Sequence, residues 1–432
     1  FRRVLFRSKK LIGSVILLLA GISLLFAGGS SDGGDAAMSM EIGDISNEVF
    51  EVYGYRDFQN DQWFTDYKEG LEKFKADYPG VTFKTRRAGR YGYDTDLIVA
   101  VASGNPWDLQ YTQSFTYYLA VLQGLYTDLT PYIDWENDEY FKKYEDINKL
   151  FEYNGKIYAI TTPANCDAFV LMYDAEVWEE SGLKTPMEYF EEGNWTYEFF
   201  QQNVVPVLRK DTDGDGLVDQ FPIATHYFHY SNPHDWLLVQ DDYTLKLNVN
   251  EEDVFKLLSM GQAALQGYSD VETKTEVIKW QSTNGFFNEE ALKPFAEGKW
   301  KLGPLMTLTS NKDDYISKMN VNGFAVPAGA KNVPASIKIA QYVTEARETR
   351  FDDLKYKTLF PADQAAIWDE LMTRVEMFTP GWPGVTTLYS HRGNAASYTA
   401  VMDEGKSVST HVQETLEMLK QEVATFNENY IR

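Results

Sequence analysis

The residues of this sequence whose types and spacing most clearly suggest chemistry are the aspartates of DTDGDGLVD, residues 211–219. Aspartates occupy loop positions 1, 3, 5 and 9 and Gly216 occupies position 6, which is the spacing with which an EF-hand loop surrounds Ca²⁺. Position 12 is Pro222 rather than an acidic residue, so the site is incomplete or completed from elsewhere, and a solvated Asp-Gly turn is the alternative. We expect a structural Ca²⁺ whose protein ligands are Asp211, Asp213, Asp215, the Leu217 carbonyl and Asp219.

Three histidines nearby, His226, His229 and His234, are a second group of possible metal ligands. Their spacings of three and five residues fit no compact pair of zinc ligands on a helix, and no general base stands close to them in the sequence. The sequence therefore favours a loop that faces a cleft over a zinc site. In that loop Tyr230 and Trp236 are candidates for stacking on a flat ligand face.

A further aromatic candidate, Trp382, lies in the turn TPGWPG. Prolines on both sides restrict the backbone of this turn, and a ring that is held in place binds a flat ligand with a smaller loss of conformational entropy. The alternative is that Trp382 is a buried anchor of its own loop.

Polar residues follow the predicted strands at the points where those strands end. Strands and helices alternate between residues 48 and 124, which predicts a parallel sheet, and in such sheets ligands bind at the carboxyl ends of the strands. Ordinary helix capping is the alternative for any one of these residues. We predict that a binding cleft is lined by two tryptophans and eight further residues: Trp236, Trp382, Tyr55, Arg56, Asp57, Thr112, Gln113, Ser114, Asn165 and Asp167.

The stretch FEYNGKIYAITTPAN, residues 151–165, is the element that we expect to organise these loops. Asn154 and Gly155 tolerate positive φ and predict a tight turn, from which the alternating residues 157–160 leave as a short strand. A short extended crossover follows, and an apolar run at residues 168–173 predicts a strand in another lobe. We therefore interpret the stretch as a hinge beneath a ligand that binds between two lobes.

The elements around this hinge follow from apolar periodicity. Residues spaced as on one face of a helix predict helices that end before Pro79, at residues 94–102, and from residue 117 onward. Short apolar runs predict strands at residues 81–84 and 109–111. Spacings of four and three residues predict an amphipathic helix, packed against a core, over residues 412–426.

Composition limits the classes of function. A chain of 432 residues with 44% hydrophobic residues is globular and too long for one ordinary core, which favours two lobes. The net charge of -24, with no basic stripe after residue 10, argues against nucleic acid and anionic lipid surfaces as partners. The aromatic content of 15% suits stacking on ligands, although the core must use most of it. The single cysteine, Cys166, excludes an intrachain disulfide and any multi-cysteine metal site.

The N-terminus has the form of an export signal. Basic residues within the first ten positions precede an apolar run at 11–26, which is short for a membrane span and ends in small residues. The order resembles a bacterial lipoprotein signal at residues 1–29 followed by a flexible tether at 30–43. Position 29, which would carry the lipid, is Gly29 and not Cys, so a plain cleaved signal is the alternative. We expect a secreted protein of the cell surface or periplasm, membrane-anchored if the natural protein has Cys at position 29.

Several segments occur in an order and spacing that carry a family resemblance: VASGNPWDLQY, QGLYTDLTPYI, YNGKIYAI, FVLMYDAEVWEESGL, PFAEGKW and NGFAVPAGAKNVPASIKIAQYV. Together they resemble the extracellular sugar-binding proteins of ATP-driven (ABC) bacterial importers, the group that includes the maltodextrin-binding proteins, whereas the tail at 344–432 matches only loosely. The resemblance implies a two-lobed α/β fold, the type II periplasmic-binding-protein fold, with a hinge and a ligand cleft between the lobes. It also implies discontinuous lobes, with residues 44–160 and 301–328 in the first and residues 161–300 and 329–425 in the second.

Two functions from different classes are consistent with this sequence. The favoured one is binding without chemistry, by a monomeric receptor that captures a carbohydrate, most simply an oligosaccharide, and delivers it to the membrane permease of an ABC importer. The alternative is a secreted glycoside hydrolase with a structural calcium site, which needs two carboxylates roughly 5 to 10 Å apart. Asp57 and Asp167 would serve as that pair, although both also suit hydrogen bonding to hydroxyl groups. The product separates the two functions, because only a hydrolase shortens an oligosaccharide.

Overall fold

The structure is a computed structural model that describes residues 40–54, 58, 65–87, 93–224, 237–239, 244–248, 251–282, 289–311, 317–352, 361–377, 401 and 405–430. The first part of this chain alternates strands and helices, and its last part is mainly helical. The predicted signal and all but the end of the predicted tether lie outside the described residues.

Strands form where β-branched and aromatic residues alternate with polar ones, as in the first strand, VFEVYG. They are β1 (Val49–Gly54), β2 (Thr82–Arg87), β3 (Leu109–Gln113), β4 (Glu152–Tyr153), β5 (Lys156–Ile157), β6 (Ala159–Ile160), β7 (Cys166–Asp174), β8 (Gln220–Ile223), β9 (Leu237–Val239), β10 (Leu245–Leu247), β11 (Thr275–Ser282), β12 (Trp300–Gly303), β13 (Ser317–Ala325) and β14 (Val375–Met377).

Helices form where apolar residues recur at helical spacing, and one of them begins at a capping box formed by Thr185 and Glu188. They are α1 (Thr65–Asp77), α2 (Tyr93–Ala102), α3 (Ser114–Leu122), α4 (Glu139–Lys143), α5 (Glu145–Asn148), α6 (Ala175–Glu180), α7 (Pro186–Glu191), α8 (Tyr197–Phe199), α9 (Val205–Leu208), α10 (Glu251–Leu265), α11 (Glu289–Ala296), α12 (Val333–Asp352), α13 (Ala362–Met372) and α14 (Val408–Tyr430). A π-helical turn at Phe200–Val204 joins α8 to α9.

One sheet runs through much of the described chain, with the strand order β2-β1-β3-β13-β7-β11-β8. β1 pairs in parallel with both β2 and β3, as the alternation of strands and helices predicts. The carboxyl ends of these three strands therefore meet at one edge of the sheet. β6 pairs with β13, and β12 pairs with β7.

β13 changes its partners part of the way along its length. Its first part pairs with the start of β7, with Val321 opposite Cys166. From Asn322 onward it pairs with β3 and β6, with Asn322 opposite Gln113. One strand thus joins the part of the sheet built on β1–β3 to the part built on β7 and β11, at the level of residues 161–165, which we call the crossover.

The turn before the crossover has the predicted form. Asn154 and Gly155 both have positive φ, 52° and 70°, and they close a tight turn between β4 and β5. The strand predicted over residues 157–160 is divided at Tyr158 into β5 and β6. The crossover itself contains a 3-10 turn at Pro163–Asn165 where extended chain was expected.

The buried apolar side chains of the described residues form separate clusters. One cluster, which we call the first core, surrounds β1–β3 and packs α1 against α12. Another, the second core, surrounds β7, β11 and β12. α14 contacts the second core through Val412 and Leu416. Its far end reaches, through Phe426, a third cluster that contains residues of α2, α3 and β13. The amphipathic helix predicted near the C-terminus therefore packs as expected.

Two segments pack differently from the predicted division of the chain. Residues 301–328 were expected in the first lobe, and Phe324 and Val326 do lie in the first core. The start of this segment does not, because β12 pairs with β7 and Leu302 and Leu305 lie in the second core. α12 was expected in the second lobe, but Ala340 and Val343 lie in the first core. An apolar periodicity predicts that a helix or strand is buried without specifying which core buries it. The other boundaries of the two lobes stay a prediction.

Candidate functional site

A network of buried amides and hydroxyls lies where β13 passes the crossover. Gln113 Nε2 donates a hydrogen bond to Asn322 Oδ1 at 3.1 Å, and Asn322 Nδ2 donates to the carbonyl of Asn165 at 3.1 Å. Thr161 Oγ1 donates to the carbonyl of Asn322 at 2.6 Å. Buried polar groups of this kind are stable only when they have hydrogen-bond partners. The network therefore fixes β3, β13 and the crossover relative to one another.

The side chain of Asn165 is bonded on both of its ends. Its Oδ1 accepts a hydrogen bond from the hydroxyl of Tyr67, at the start of α1, and its Nδ2 donates to Thr162 Oγ1 at 3.0 Å. All three side chains are buried. Asn165 thus holds the crossover against α1.

The backbone of Thr161 is held by the side chain of Asn148, at the end of α5. Asn148 Oδ1 accepts from the Thr161 N–H at 2.9 Å, while Asn148 Nδ2 donates to the Thr161 carbonyl at 3.1 Å. The side-chain amide of Asn148 thereby bonds both backbone polar groups of Thr161, as a neighbouring strand would. The backbone polar groups at the start of the crossover are satisfied without water.

Thr112 belongs to a separate chain of hydrogen bonds at the end of β3. Tyr126 donates its hydroxyl to Thr112 Oγ1 at 3.2 Å, and Gln110 Nε2 donates to the Tyr126 hydroxyl at 3.2 Å. Trp107 Nε1 donates to Gln110 Oε1 at 3.1 Å, and Tyr53 stacks on the Trp107 ring at a centroid distance of 3.9 Å. Aromatic rings and amides thus brace β3 behind its carboxyl end.

A buried ion pair joins the two helices beneath the crossover. Arg347 Nη1 of α12 lies 2.6 Å from Asp66 Oδ2 of α1, and both side chains are only 3% exposed. The Arg347 guanidinium also lies over the Tyr67 ring, 5.1 Å from its centroid. Burial disfavours the charged guanidinium, but the negative charge of Asp66 outweighs burial and raises the pKa of Arg347. The Arg347 guanidinium therefore keeps its positive charge at every physiological pH.

The predicted cleft residues fall into three groups in the structure. Gln113 and Asn165 are brought together, since both bond to Asn322. Asp167 lies on β7 opposite Asn320 and is half-buried, and Thr112 lies in its own chain of bonds. Ser114 is the first residue of α3. The remaining candidates lie outside the described residues: Tyr55, Arg56, Asp57, Trp236 and Trp382. The three histidines and Tyr230 lie outside them as well.

Several residues of the network were missed by sequence reasoning. Asn322, Arg347 and Glu348 were not singled out, although each makes buried hydrogen bonds near the crossover. One signal was present: Ala340, Thr344 and Arg347 recur at spacings of four and three, so the helix places a charged residue on its buried face. A charge in that position predicts a buried partner.

The aspartate loop brings part of its predicted ligand set together. One carboxylate oxygen each from Asp211, Asp213 and Asp215 lies within 4.8 Å of the others, and all three residues are exposed. Asp219 instead accepts hydrogen bonds from the Thr212 side chain at 2.7 Å and from its backbone N–H at 2.8 Å, and these bonds lower the pKa of Asp219. Three hard oxygen ligands at this spacing fit a Ca²⁺ ion.

Among the described residues no helix combines the length and the apolar character needed to cross a membrane.

Comparison with known proteins identifies the family. A model of the family of bacterial extracellular solute-binding proteins matches residues 61–349. A search of curated protein sequences found no match.

Solved structures of similar fold include three sugar-binding proteins. The substrate-binding protein Lmo0181 of Listeria monocytogenes, in complex with cycloalternan, is 13% identical, with a TM-score of 0.63 over 88% of this chain and 98% of that one. MalE of Bdellovibrio bacteriovorus, bound to maltotriose, is 15% identical, with a TM-score of 0.60 over 87% and 100%. The galacto-N-biose/lacto-N-biose I-binding protein of Bifidobacterium longum, in complex with lacto-N-biose, is 12% identical, with a TM-score of 0.63 over 92% and 99%.

These similarities confirm the fold class, because the structural relatives are two-lobed α/β proteins of the type II periplasmic solute-binding fold. The family model spans well over half of the 432 residues. The chain therefore belongs to the family of bacterial extracellular solute-binding proteins.

Proposed function

We propose that this chain is the substrate-binding receptor of an ABC importer, and that it captures an oligosaccharide and delivers it to a membrane permease. The match to the solute-binding family carries this proposal. Three proteins of the same fold were solved with cycloalternan, maltotriose or lacto-N-biose bound, which supports a carbohydrate as the ligand. The aromatic content of 15% suits such a ligand, since the C–H faces of a sugar pack on aromatic rings.

The binding site of this proposal lies at the carboxyl ends of the first strands and beside the crossover. The residues proposed to contact the ligand are Tyr55, Arg56, Asp57, Thr112, Gln113, Ser114, Asn165, Asp167, Trp236 and Trp382. Asp167 has the best-defined position among them, because it stands two residues after Asn165, at the start of β7, and is half-buried. A carboxylate there accepts hydrogen bonds from sugar hydroxyls.

Thermal unfolding in the presence of maltotriose, lacto-N-biose and cycloalternan tests the proposal. A ligand at 100 times its dissociation constant adds about 2.7 kcal/mol to the free energy of unfolding. Asp167→Ala should weaken binding roughly five- to 150-fold without unfolding the chain, since a buried hydrogen-bonding group left unpartnered costs about 1 to 3 kcal/mol. Trp382→Ala should also weaken binding, because it would remove the ring face on which a sugar is proposed to stack. Asp146→Ala, at an exposed position of α5, is the control. Parental affinity in both variants would show that the site lies elsewhere.

Catalysis is not part of the proposed function. A glycoside hydrolase would use two carboxylates to cleave the bound sugar, whereas a receptor releases it unchanged. Incubating the protein with each oligosaccharide and separating the products by mass distinguishes the two. If the parent produces shortened oligosaccharides and the Asp167→Ala variant does not, the protein is a hydrolase and the proposed receptor function is wrong.

The proposal includes export and a structural ion. Residues 1–29 serve as the export signal and residues 30–43 as the tether, with a lipid anchor if position 29 is Cys in the natural protein. A Ca²⁺ ion bound by Asp211, Asp213, Asp215, Asp219 and the Leu217 carbonyl would offset the mutual repulsion of the carboxylates. EDTA should then lower the melting temperature of the parent and leave that of Asp213→Ala unchanged. If EDTA changes the melting temperatures of the two proteins equally, the loop binds no structural ion and is a solvated turn.

A further inference from the structure

Two consecutive charged residues of α12 hold the backbone of one crossover residue, Ala164, from both sides. Glu348 Oε2 accepts a hydrogen bond from the Ala164 N–H at 2.8 Å, and Arg347 Nε donates to the Ala164 carbonyl at 2.9 Å. Arg347 is also paired with Asp66. Removing either partner of a buried ion pair leaves an uncompensated charge, so this arrangement strongly resists displacement. We call Arg347 and Glu348, with their bonds to Ala164, the crossover clamp.

Two further side-chain bonds of this turn lead to the same two helices. Tyr67 of α1 donates to the side chain of Asn165, and Thr162 Oγ1 donates to the carbonyl of Thr344 on α12 at 3.3 Å. Because α1 and α12 pack against each other in the first core, residues 162–165 are attached to that core as one body.

The next residues along the chain have different partners. Cys166 opens β7, which enters the second core from Phe169 onward, and Cys166 lies opposite Val321 of β13. The side chains of Cys166 and Val321 themselves pack in the third cluster. On the neighbouring strand, Asn322 pairs with β3, on the side of the first core. The two chain segments that pass between the cores here, the crossover with β7 and the strand β13, therefore change their pairing partners side by side. The Asn322 side chain joins these two segments by its hydrogen bond to the Asn165 carbonyl.

We propose that Arg347 and Glu348 are positioning residues that fix the pivot of the lobe movement at the peptides Asn165–Cys166 and Val321–Asn322. The clamp keeps the crossover with the first core, so that backbone rotation on closure is confined to these two adjacent peptides. α14 also contacts both the second core and the third cluster, but it does so through apolar side chains such as Val412. Apolar contacts can slide during a lobe movement, whereas a buried ion pair resists displacement. The inference rests on the two-lobed fold and is independent of which ligand the protein binds.

A distance measurement between the two sides of the pivot tests this role in the full chain without ligand. Spin labels are attached at Val99→Cys on α2 and Phe255→Cys on α10, whose side chains are 62% and 42% exposed. Cys166 needs no replacement, because burial raises the pKa of its thiol to about 12 and leaves little reactive thiolate. The label pair Val49→Cys with Val99→Cys, both beside β1–β3, is the control for movements within one side.

The clamp variants should change only the distance across the pivot. Arg347→Met and Glu348→Leu each remove one bond to Ala164, so we expect the distance distribution between the labels at residues 99 and 255 to widen by several ångströms. Glu348→Gln keeps an acceptor for the Ala164 N–H and should restore the parental width, which a general loss of packing would not do. The pair at residues 49 and 99 should keep its distribution in every variant.

Two results would overturn the proposal. One is a parental distance distribution in a folded Arg347→Met or Glu348→Leu variant. The other comes from the parent alone and applies even if both variants fail to fold: the Ala164 amide should exchange its hydrogen as slowly as the amides of α12, and exchange at the rate of an open loop contradicts the clamp. A protein that binds no sugar but shows the expected distances would refute the proposed ligand and leave the pivot intact.

Discussion

The contact between α1 and α12 makes a quantitative prediction at Gly70. A Cβ added at this position would lie 2.7 Å from the carbonyl oxygen of Tyr342 and 2.7 Å from the Cα of Val343. Non-bonded carbon atoms are most stable at about 3.5 to 4.0 Å, so Gly70→Ala must push the two helices apart by most of an ångström. Both contacts are to backbone atoms, and a change of side-chain rotamer cannot relieve them.

Two terms of opposite sign decide the effect of Gly70→Ala on the free energy of unfolding. Alanine is the better helix former by about 1 kcal/mol in a helix interior. Overpacking of a well-filled contact costs roughly 1 to 3 kcal/mol, and here it also strains the ion pair between Asp66 and Arg347. We expect a net destabilisation of about 1 to 2 kcal/mol, because the clashing atoms belong to a long helix with many other contacts.

Chemical and thermal unfolding of Gly70→Ala measure this difference. Lys68→Ala, at an exposed position on the same helix, is the control and should change the free energy of unfolding by no more than about 0.5 kcal/mol. If Gly70→Ala is instead more stable than the parent by about 1 kcal/mol, helix propensity alone acts, and α1 and α12 do not approach as closely as described.

Two further predictions concern α14. Burial and the positive charge of Lys406 lower the pKa of His411, so the unfolded chain binds a proton that the folded chain does not, and stability is lost as pH falls below the unfolded value of about 6.5. Unfolding at about pH 7.5 and about pH 5 should show a smaller loss in His411→Gln than in the parent, and equal losses would contradict this. Asn427 accepts from the Leu245 N–H at 2.8 Å and donates to its carbonyl at 2.9 Å. Asn427→Ala should therefore speed hydrogen exchange at Leu245 and leave the amides of α1 unchanged, whereas unchanged exchange at Leu245 would mean that this amide does not hold β10.

The features predicted correctly from sequence are those set by neighbouring residues. The Asn154-Gly155 turn follows from the tolerance of both residues for positive φ, and their φ angles of 52° and 70° confirm it. The helix predicted at residues 94–102 is α2, and the strand predicted at 81–84 overlaps the first part of β2. Each of these depends on a period or a turn signal within a few residues, which one sequence displays directly.

The features missed from sequence depend on contacts between distant residues. α12 was assigned to the second lobe but packs in the first core, because its apolar face is compatible with either core, and its contact with Gly70 lies more than 270 residues earlier in the chain. Asn322 was not singled out, since its partners Gln113 and Asn165 lie 209 and 157 residues away along the chain. For Gln113 and Asn165 the sequence did suggest proximity, from the rule that ligands and polar residues collect at the carboxyl ends of parallel strands.

The polar composition of the crossover follows from what a hinge must do. Apolar side chains pack almost equally well in many slightly shifted positions. An amide such as that of Asn322 has directional donors and acceptors, which only a few positions of its partners satisfy. Its bonds to Gln113 and to the Asn165 carbonyl therefore specify one alignment of β13 with the crossover. Because these bonds join the two passing segments to each other, rotation in one would strain the other, so the two peptides of the proposed pivot would turn about a common axis. In the proposed hinge, closure of the lobes would then reproduce the same relative position of the strand ends each time, as a binding site assembled from both sides requires.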